Sequence, residues 1–132
     1  MHLLAILLLM FVLPVICIAQ DMASGSPLIP SIGKWFVYWG VGWRLVVAGL
    51  WQLFRPSFTA RDIFGIPDSA AEKLVMEIGF GNLAIGITAV ASLHFPQWLP
   101  AAALAGAIFY TLTGLPWPLS LTLPPSDARQ SR

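Results

Sequence analysis

A single cysteine, Cys17, is the only thiol in the chain. This excludes an internal disulfide and a thiolate metal site built by the chain alone. Its position inside an apolar stretch reads as small-residue packing. Histidine is almost as scarce, and His2 and His94 stand at segment ends without ligand-like spacing to another donor, so no metal site is expected. Charged residues make up only 10% of the 132 positions against 58% hydrophobic ones, well below the roughly 25% of soluble domains. That balance reads as an integral membrane protein. A formal charge of +1, with no Lys/Arg cluster outside the short connections, supplies no basic field and argues against nucleic-acid binding. The chain also lacks a phosphate-binding Gly-rich loop, a His-rich helix face for haem and a nucleophile with a base at recognisable spacing. The isolated pairs Gly40-x-Gly42 and Gly79-x-Gly81 read as packing. No cofactor is evident, no catalytic residue is assigned, and a free-standing enzyme is not expected.

What the chain does have is four apolar stretches, residues 3–19, 35–54, 74–93 and 98–115. At about 1.5 Å per residue they form rods of roughly 26 to 30 Å, close to the hydrocarbon thickness of a bilayer. The first resembles the apolar region of a secretory signal, with Cys17 and Ala19 as small residues near a cleavage position. Its n-region has no Lys or Arg and its apolar run is long, so it reads as a retained helix. Ile16 stands where a lipoprotein signal would have a small residue. If all four stretches span, Arg55, Arg61, Lys73, Arg129 and Arg132 share one side and Lys34 lies opposite. This positive-inside bias puts both termini and the 55–73 connection in the cytoplasm.

The connections have local signals of their own. Ser69-Ala-Ala-Glu72 fits a capping box that starts the third helix near Ala70, with Pro67 and Asp68 breaking the chain before it. Residues 56–65 read as a short interfacial helix ended by Gly65. Residues 21–33, with Gly25, Ser26, Pro27 and Pro30, read as a loop, whereas Phe95-Pro96-Gln97 is short enough to make helices three and four antiparallel neighbours. Trp35, Tyr38, Trp39 and Trp98 fall where an outer aromatic belt would lie.

Arg44 and Glu77 are ionisable residues inside apolar stretches, and an Arg near the bilayer centre costs at least about 3 kcal/mol unless it finds an acceptor in the protein interior. Helical spacing places Gly40, Arg44, Ala48 and Trp51 on one face of the second helix, with Gln52 beside it. In the third helix Gly79, Asn82 and Gly86 form one stripe and Glu77, Gly81 and Thr88 its neighbour. In the fourth, Ala102, Gly106, Tyr110 and Gly114 form another. Small residues allow close approach where lipid gives no hydrophobic drive, and polar side chains bond across the contact, so Gly40, Ala48, Gly79, Gly86 and Gly106 are the expected packing positions. Arg44 and Asn82 lie roughly 15 and 12 Å from the inner ends of their helices, and Glu77 roughly 5 Å. The expected polar cluster is therefore Arg44, Asn82 and Glu77, with Tyr110 nearby. It reads first as a clamp that fixes helix register, with a site for an anionic headgroup, a quinone oxygen or a proton as the alternative.

Lys34-Trp-Phe-Val-Tyr-Trp-Gly-Val-Gly-Trp-Arg44, Phe54-Arg-Pro56, Ile63-Phe-Gly65 and Glu77-Ile-Gly79-Phe-Gly81-Asn82-Leu-Ala-Ile-Gly86 together resemble a family of small, four-helix, uncharacterised bacterial inner-membrane proteins, distantly similar to the DoxX-like group. The resemblance covers roughly residues 1–117. It implies a bacterial cytoplasmic membrane and, through the DoxX-like relatives, a link to quinone-associated redox chemistry. The expected fold is all-α: a polytopic membrane bundle of four transmembrane helices within 1–118, with a short interfacial helix between the second and third, and a Pro-containing polar tail at 119–132 read as disordered. The expected function is a structural or accessory membrane role without a defined reaction. The partners would be the lipid bilayer and a homo-oligomer or larger membrane complex. A quinone-associated redox accessory subunit, with Trp43, Trp51 and Tyr110 available as an aromatic wall, is the alternative, followed by a small transporter.

Overall fold

The computed structural model describes residues 2–63, 65, 66 and 68–114. The expected tail at 119–132, its charges Arg129 and Arg132, and the break at Pro67 lie outside the described residues. Among the described residues the chain is all-helical, with five rods and no strand. Helix α1 runs through residues 2–23, α2 through 28–54, α3 through 56–63, α4 is Ser69–Ala91 and α5 is Leu99–Gly114, entered by the 3-10 turn Pro96–Trp98. Among the described residues two helical segments, Leu4–Ala23 and Ser69–Ala91, are long and apolar enough to cross a membrane. Residues 28–54 form a continuous rod that carries Lys34 and Arg44, and α5 has 16 residues.

Three rods contain wide π-helical turns, at Leu8–Val12 in α1, Phe36–Trp43 in α2 and Thr59–Ile63 in α3. In α1 the cause is Pro14. A proline ring clashes with the carbonyl four residues back, here Met10, and widening the turn around that residue relieves the clash without ending the rod. Pro14 and Ile18 are then buried, while α1 packs along the first part of α2.

The 21–33 segment departs from the loop expected there. Helix α1 continues to Ala23 and α2 begins at Leu28, leaving a turn of residues 24–27. Gly25 takes a positive φ of 87°, and the Ser24 hydroxyl donates to the Asp21 carbonyl at 2.7 Å. Pro30 is harmless because it falls in the first turn of α2, where backbone N–H groups have no helical partner to lose. The start of α4 is also shifted by one residue. Asp68, not Ser69, is the cap, its carboxylate accepting from the Ala70 amide at 3.0 Å. Glu72 is thereby released from a capping box and accepts instead from Arg61 Nη2 at 3.4 Å. Gly65, with φ of 67°, closes α3 as Ile66 N–H reaches back to the Ala60 carbonyl at 2.8 Å.

The core lies where α2 meets α4 and α5. Val37, Val41, Leu45, Ala89 and Ala102 are buried together there, and a second small cluster of Ala60, Ala71 and Val75 joins α3 to α4. The contact of α2 with α4 is tightest at four glycines, and at two of them, Gly49 and Gly86, an added Cβ would press on facing backbone. A Cβ on Gly86 would stand 2.8 Å from the Val46 nitrogen, one on Gly49 2.8 Å from the Gly79 carbonyl oxygen, one on Gly79 2.6 Å from Leu53 Cδ1, and one on Gly42 2.8 Å from Val90 Cγ2. Gly42 and Gly49 are seven residues apart, as are Gly79 and Gly86, so each pair recurs after two turns on one face. The two faces run antiparallel against each other. Gly106 on α5 seats Val41 in the same way, with its missing Cβ position 2.5 Å from Val41 Cγ2. Gly40 has open space at its Cβ position, so no contact there requires its size; Ala48 is half-buried. The missing positions, Gly42 and Gly49, are legible in hindsight from their heptad spacing.

Replacing Gly86 with Ala should lower the melting temperature in mild detergent, by overpacking that costs roughly 1 to 3 kcal/mol. Gly81→Ala is the control: its Cβ position is empty, and removing a helical glycine should be neutral or stabilise by roughly 0.5 to 1 kcal/mol. Equal melting of the two variants would show that the seam tolerates separation.

Candidate polar site between the helices

Arg44 lies on the side of α2 that faces α5. Its Nη1 donates to the Tyr110 hydroxyl oxygen at 3.4 Å, and its guanidinium carbon stands 5.0 Å from the centre of the Tyr110 ring. The Tyr110 hydroxyl in turn donates to the Gly40 carbonyl at 2.5 Å. The π turn explains why that carbonyl is offered. The Arg44 amide bonds to the Trp39 and Val41 carbonyls, so the usual i to i−4 bond to Gly40 is displaced and the tyrosine takes its place. Cation, ring and carbonyl thus form one knot between α2 and α5.

Asn82 belongs to a different contact. Only 4% exposed, it donates through Nδ2 to Gln52 Oε1 at 2.8 Å across the α2–α4 seam. Glu77 is exposed and makes no hydrogen bond or ion pair among the described residues. The four members of the expected cluster are therefore divided: Arg44 and Tyr110 meet, Asn82 pairs with Gln52, and Glu77 stands apart. The reason is both rotational and axial. At about 100° per residue, Arg44 is turned roughly 200° from Gly42, whose face meets α4. The seam sets Gly42 beside Val90, Gly86 beside Val46 and Gly49 beside Leu83, so Arg44 also stands roughly two helical turns along α4 from Asn82, and the near-level placement expected for the two does not hold. Gln52, three residues beyond Gly49, stays on the α4 side. Gln52 was expected only beside the Arg44 face, and a polar residue in phase with the glycine pair is the signal that marks it.

Two further ties sit at the rod ends. Asp21 Oδ2 accepts from Trp35 Nε1 at 2.8 Å and pairs with Lys34 Nζ at 2.5 Å, joining α1 to α2. Arg61 and Glu72 join α3 to α4. Trp35, Tyr38, Trp39 and Trp43 form a run of ring contacts along the α2 π turn, with centroid separations of 5.8, 5.1 and 6.4 Å.

An apolar groove of about 250 Å3 runs between α1, α2 and α5, with Met10, Phe36, Val41, Ala103 and Gly106 in its walls and Tyr110 at its polar margin. Trp43 and Trp51 do not line it; Trp51 packs instead against Phe58, 6.2 Å between ring centres, and under Arg55. Three buried polar atoms, Trp39 Nε1, Arg44 Nε and Asn82 Oδ1, have no hydrogen-bond partner among the described residues. Among the same residues no three His, Cys, Asp or Glu side chains are grouped to hold a metal ion.

Residues 2–115 match the sequence profile of a family of unknown function, DUF6790, and the chain belongs to that family. No curated protein and no solved structure matches it. Membership of an uncharacterised family is as the resemblance implied; the DoxX-like affinity has no counterpart among these matches.

A double-mutant cycle on Arg44→Met and Tyr110→Phe, read by melting in mild detergent, should give a coupling of roughly 1 kcal/mol or more, since each single change strands the other group. The cycle of Arg44→Met with Glu77→Gln should be additive within about 0.5 kcal/mol. Coupling in the second cycle and additivity in the first would restore the Arg44–Glu77 pairing.

Proposed function

We propose that this member of a family of unknown function is a four-span protein of the bacterial cytoplasmic membrane, with α1, α2, α4 and α5 as its spans and α3 at the inner boundary. Its role is structural or accessory, exercised through a second copy or a larger membrane complex and without a reaction of its own. The observation that carries this reading is that four polar side chains within the rods serve helix-to-helix ties, Arg44 with Tyr110 and Gln52 with Asn82, while Glu77 remains exposed. Large apolar side chains are exposed along the four proposed spans, among them Leu4, Phe11, Val47, Phe80, Leu104 and Ile108. In water such surface is rare on a monomer, and in lipid it is the natural exterior. The burial of Pro14 and Ile18 and the Asp21–Lys34 pair support α1 as a retained member of the bundle. Helix α5 is the shortest span, and Trp98, stacked on Phe95 at 4.9 Å, anchors its outer end.

A second reading, a quinone-associated redox accessory subunit, has one observation in its favour: the apolar groove reaches the Arg44–Tyr110 knot, where a carbonyl oxygen would find donors. Transport has no comparable support, because Thr88 and Ser92 donate to carbonyls of their own helix, Ala84 and Ala89.

Topology reporters fused after Arg132 and inserted within residues 24–27 should report the cytoplasm and the opposite side respectively. N-terminal sequencing should begin at or near Met1, and the protein should stay with carbonate-washed membranes. An external C-terminus, a start near Gln20 or release by carbonate would each overturn a named part of the proposal. Decylubiquinone separates the two functional readings: saturable quenching of tryptophan fluorescence that is lost in Tyr110→Phe supports the quinone site, and unsaturable quenching supports the structural role.

A further inference from the structure

An open cavity of about 550 Å3 lies in the elbow where α2 passes into α3, lined by Phe54, Arg55, Ser57, Phe58, Arg61 and Asp62. Its charges are of both signs and are not equivalent. Arg61 is balanced by Glu72 at 3.4 Å, whereas Arg55 and Asp62 line the same cavity and form no ion pair among the described residues. The Arg55 guanidinium is held over the Trp51 ring, 5.3 Å from its centre, which limits its freedom while leaving its N–H groups in the plane available. The Arg55 backbone leaves the helical region, with φ −138° and ψ 58°, and this bend opens the elbow. Phe54, on the last turn of the apolar rod, is 79% exposed.

We infer that this elbow seats the headgroup of a zwitterionic phospholipid bearing a primary amine. Its phosphate is taken by Arg55 and the Ser57 hydroxyl, its ammonium by Asp62, and its acyl chains run along α2 past Phe54. A guanidinium matches phosphate oxygens with paired N–H donors, and a carboxylate matches an ammonium with charge-assisted bonds. A purely anionic headgroup brings its charge against Asp62 with no amine to offset it. A trimethylated headgroup offers Asp62 no N–H. The neutral sum of Arg55 and Asp62 therefore selects a dipolar head over an anionic one. The inference rests on the proposal that the Phe54 end of α2 lies at the inner membrane boundary.

The full chain, purified in mild detergent and presented with phosphatidylethanolamine, phosphatidylglycerol and phosphatidylcholine at equal mole fraction, should retain phosphatidylethanolamine preferentially in native mass spectrometry. Arg55→Gln should weaken that retention roughly tenfold, the loss of one charge-assisted contact. Asp62→Asn should erase the preference over the other two lipids. Both side chains are exposed, so Asp62→Asn should melt with the parent protein and Arg55→Gln, which gives up only its contact with the Trp51 ring, close to it; folded variants with altered retention show that the change is not unfolding. Equal retention of the three lipids, preference for phosphatidylglycerol, or indifference to both substitutions overturns the inference. Displacement by soluble glycerophosphoethanolamine at equal concentration does so too, because the headgroup alone is then the ligand. Carbonate extraction reads the membrane proposal separately: retained protein with unselective lipid binding sinks only the headgroup site, and released protein sinks both.

Discussion

The close approach of α2 and α4 sets the geometry of the remaining contacts. Four glycines, two on each rod and seven residues apart, let the rods close up, with the missing Cβ positions of Gly49 and Gly86 2.8 Å from facing backbone atoms and those of Gly79 and Gly42 2.6 and 2.8 Å from facing side chains. Such contact gains dispersion over a long strip and needs no hydrophobic drive, which is why small residues serve where the surroundings are as apolar as the protein. It also fixes rotation. Once Gly42 and Gly49 are turned towards α4, Gln52 is brought to Asn82, Arg44 is turned away, and Val41 is delivered to the Gly106 notch of α5.

Helix α2 is consequently the hub. It carries Lys34 and Trp35 to Asp21 of α1, Arg44 and the Gly40 carbonyl to Tyr110 of α5, and Gln52 to Asn82 of α4. The wide turn Phe36–Trp43 makes the second of these possible by moving the Arg44 amide to other carbonyls. A backbone irregularity thus provides an acceptor, and a tyrosine uses it to hold a cation between two helices. A tie of this kind favours one arrangement, because breaking it strands both the cation and the hydroxyl.

Much of this architecture was legible in the chain. The apolar stretches marked the rods, Gly65 marked the end of α3, and the short Phe95-Pro96-Gln97 link made α4 and α5 neighbours. The small-residue positions Gly79, Gly86 and Gly106 stood in register. Less legible were the local choices between two adequate residues. Asp68 and Ser69 are both good caps, and the carboxylate took the Ala70 amide while Glu72 went to Arg61. Pro30 signals a break in isolation, yet is compatible with a first helical turn, so an expected 13-residue loop shrank to residues 24–27.

Composition and periodicity by themselves determined that the chain forms apolar helices with few polar side chains inside them, because hydropathy pattern and helix pitch are properties of neighbouring residues. Which polar group meets which was decided only by tertiary structure. A periodic pattern gives each helix a set of faces but not its rotation against its neighbours, and a turn of one face exchanges partners completely. Arg44 was expected level with Asn82, yet the glycine seam claimed the other side of α2 and its register set Arg44 opposite the stretch of α4 between Gly86 and Val90, so the guanidinium found Tyr110.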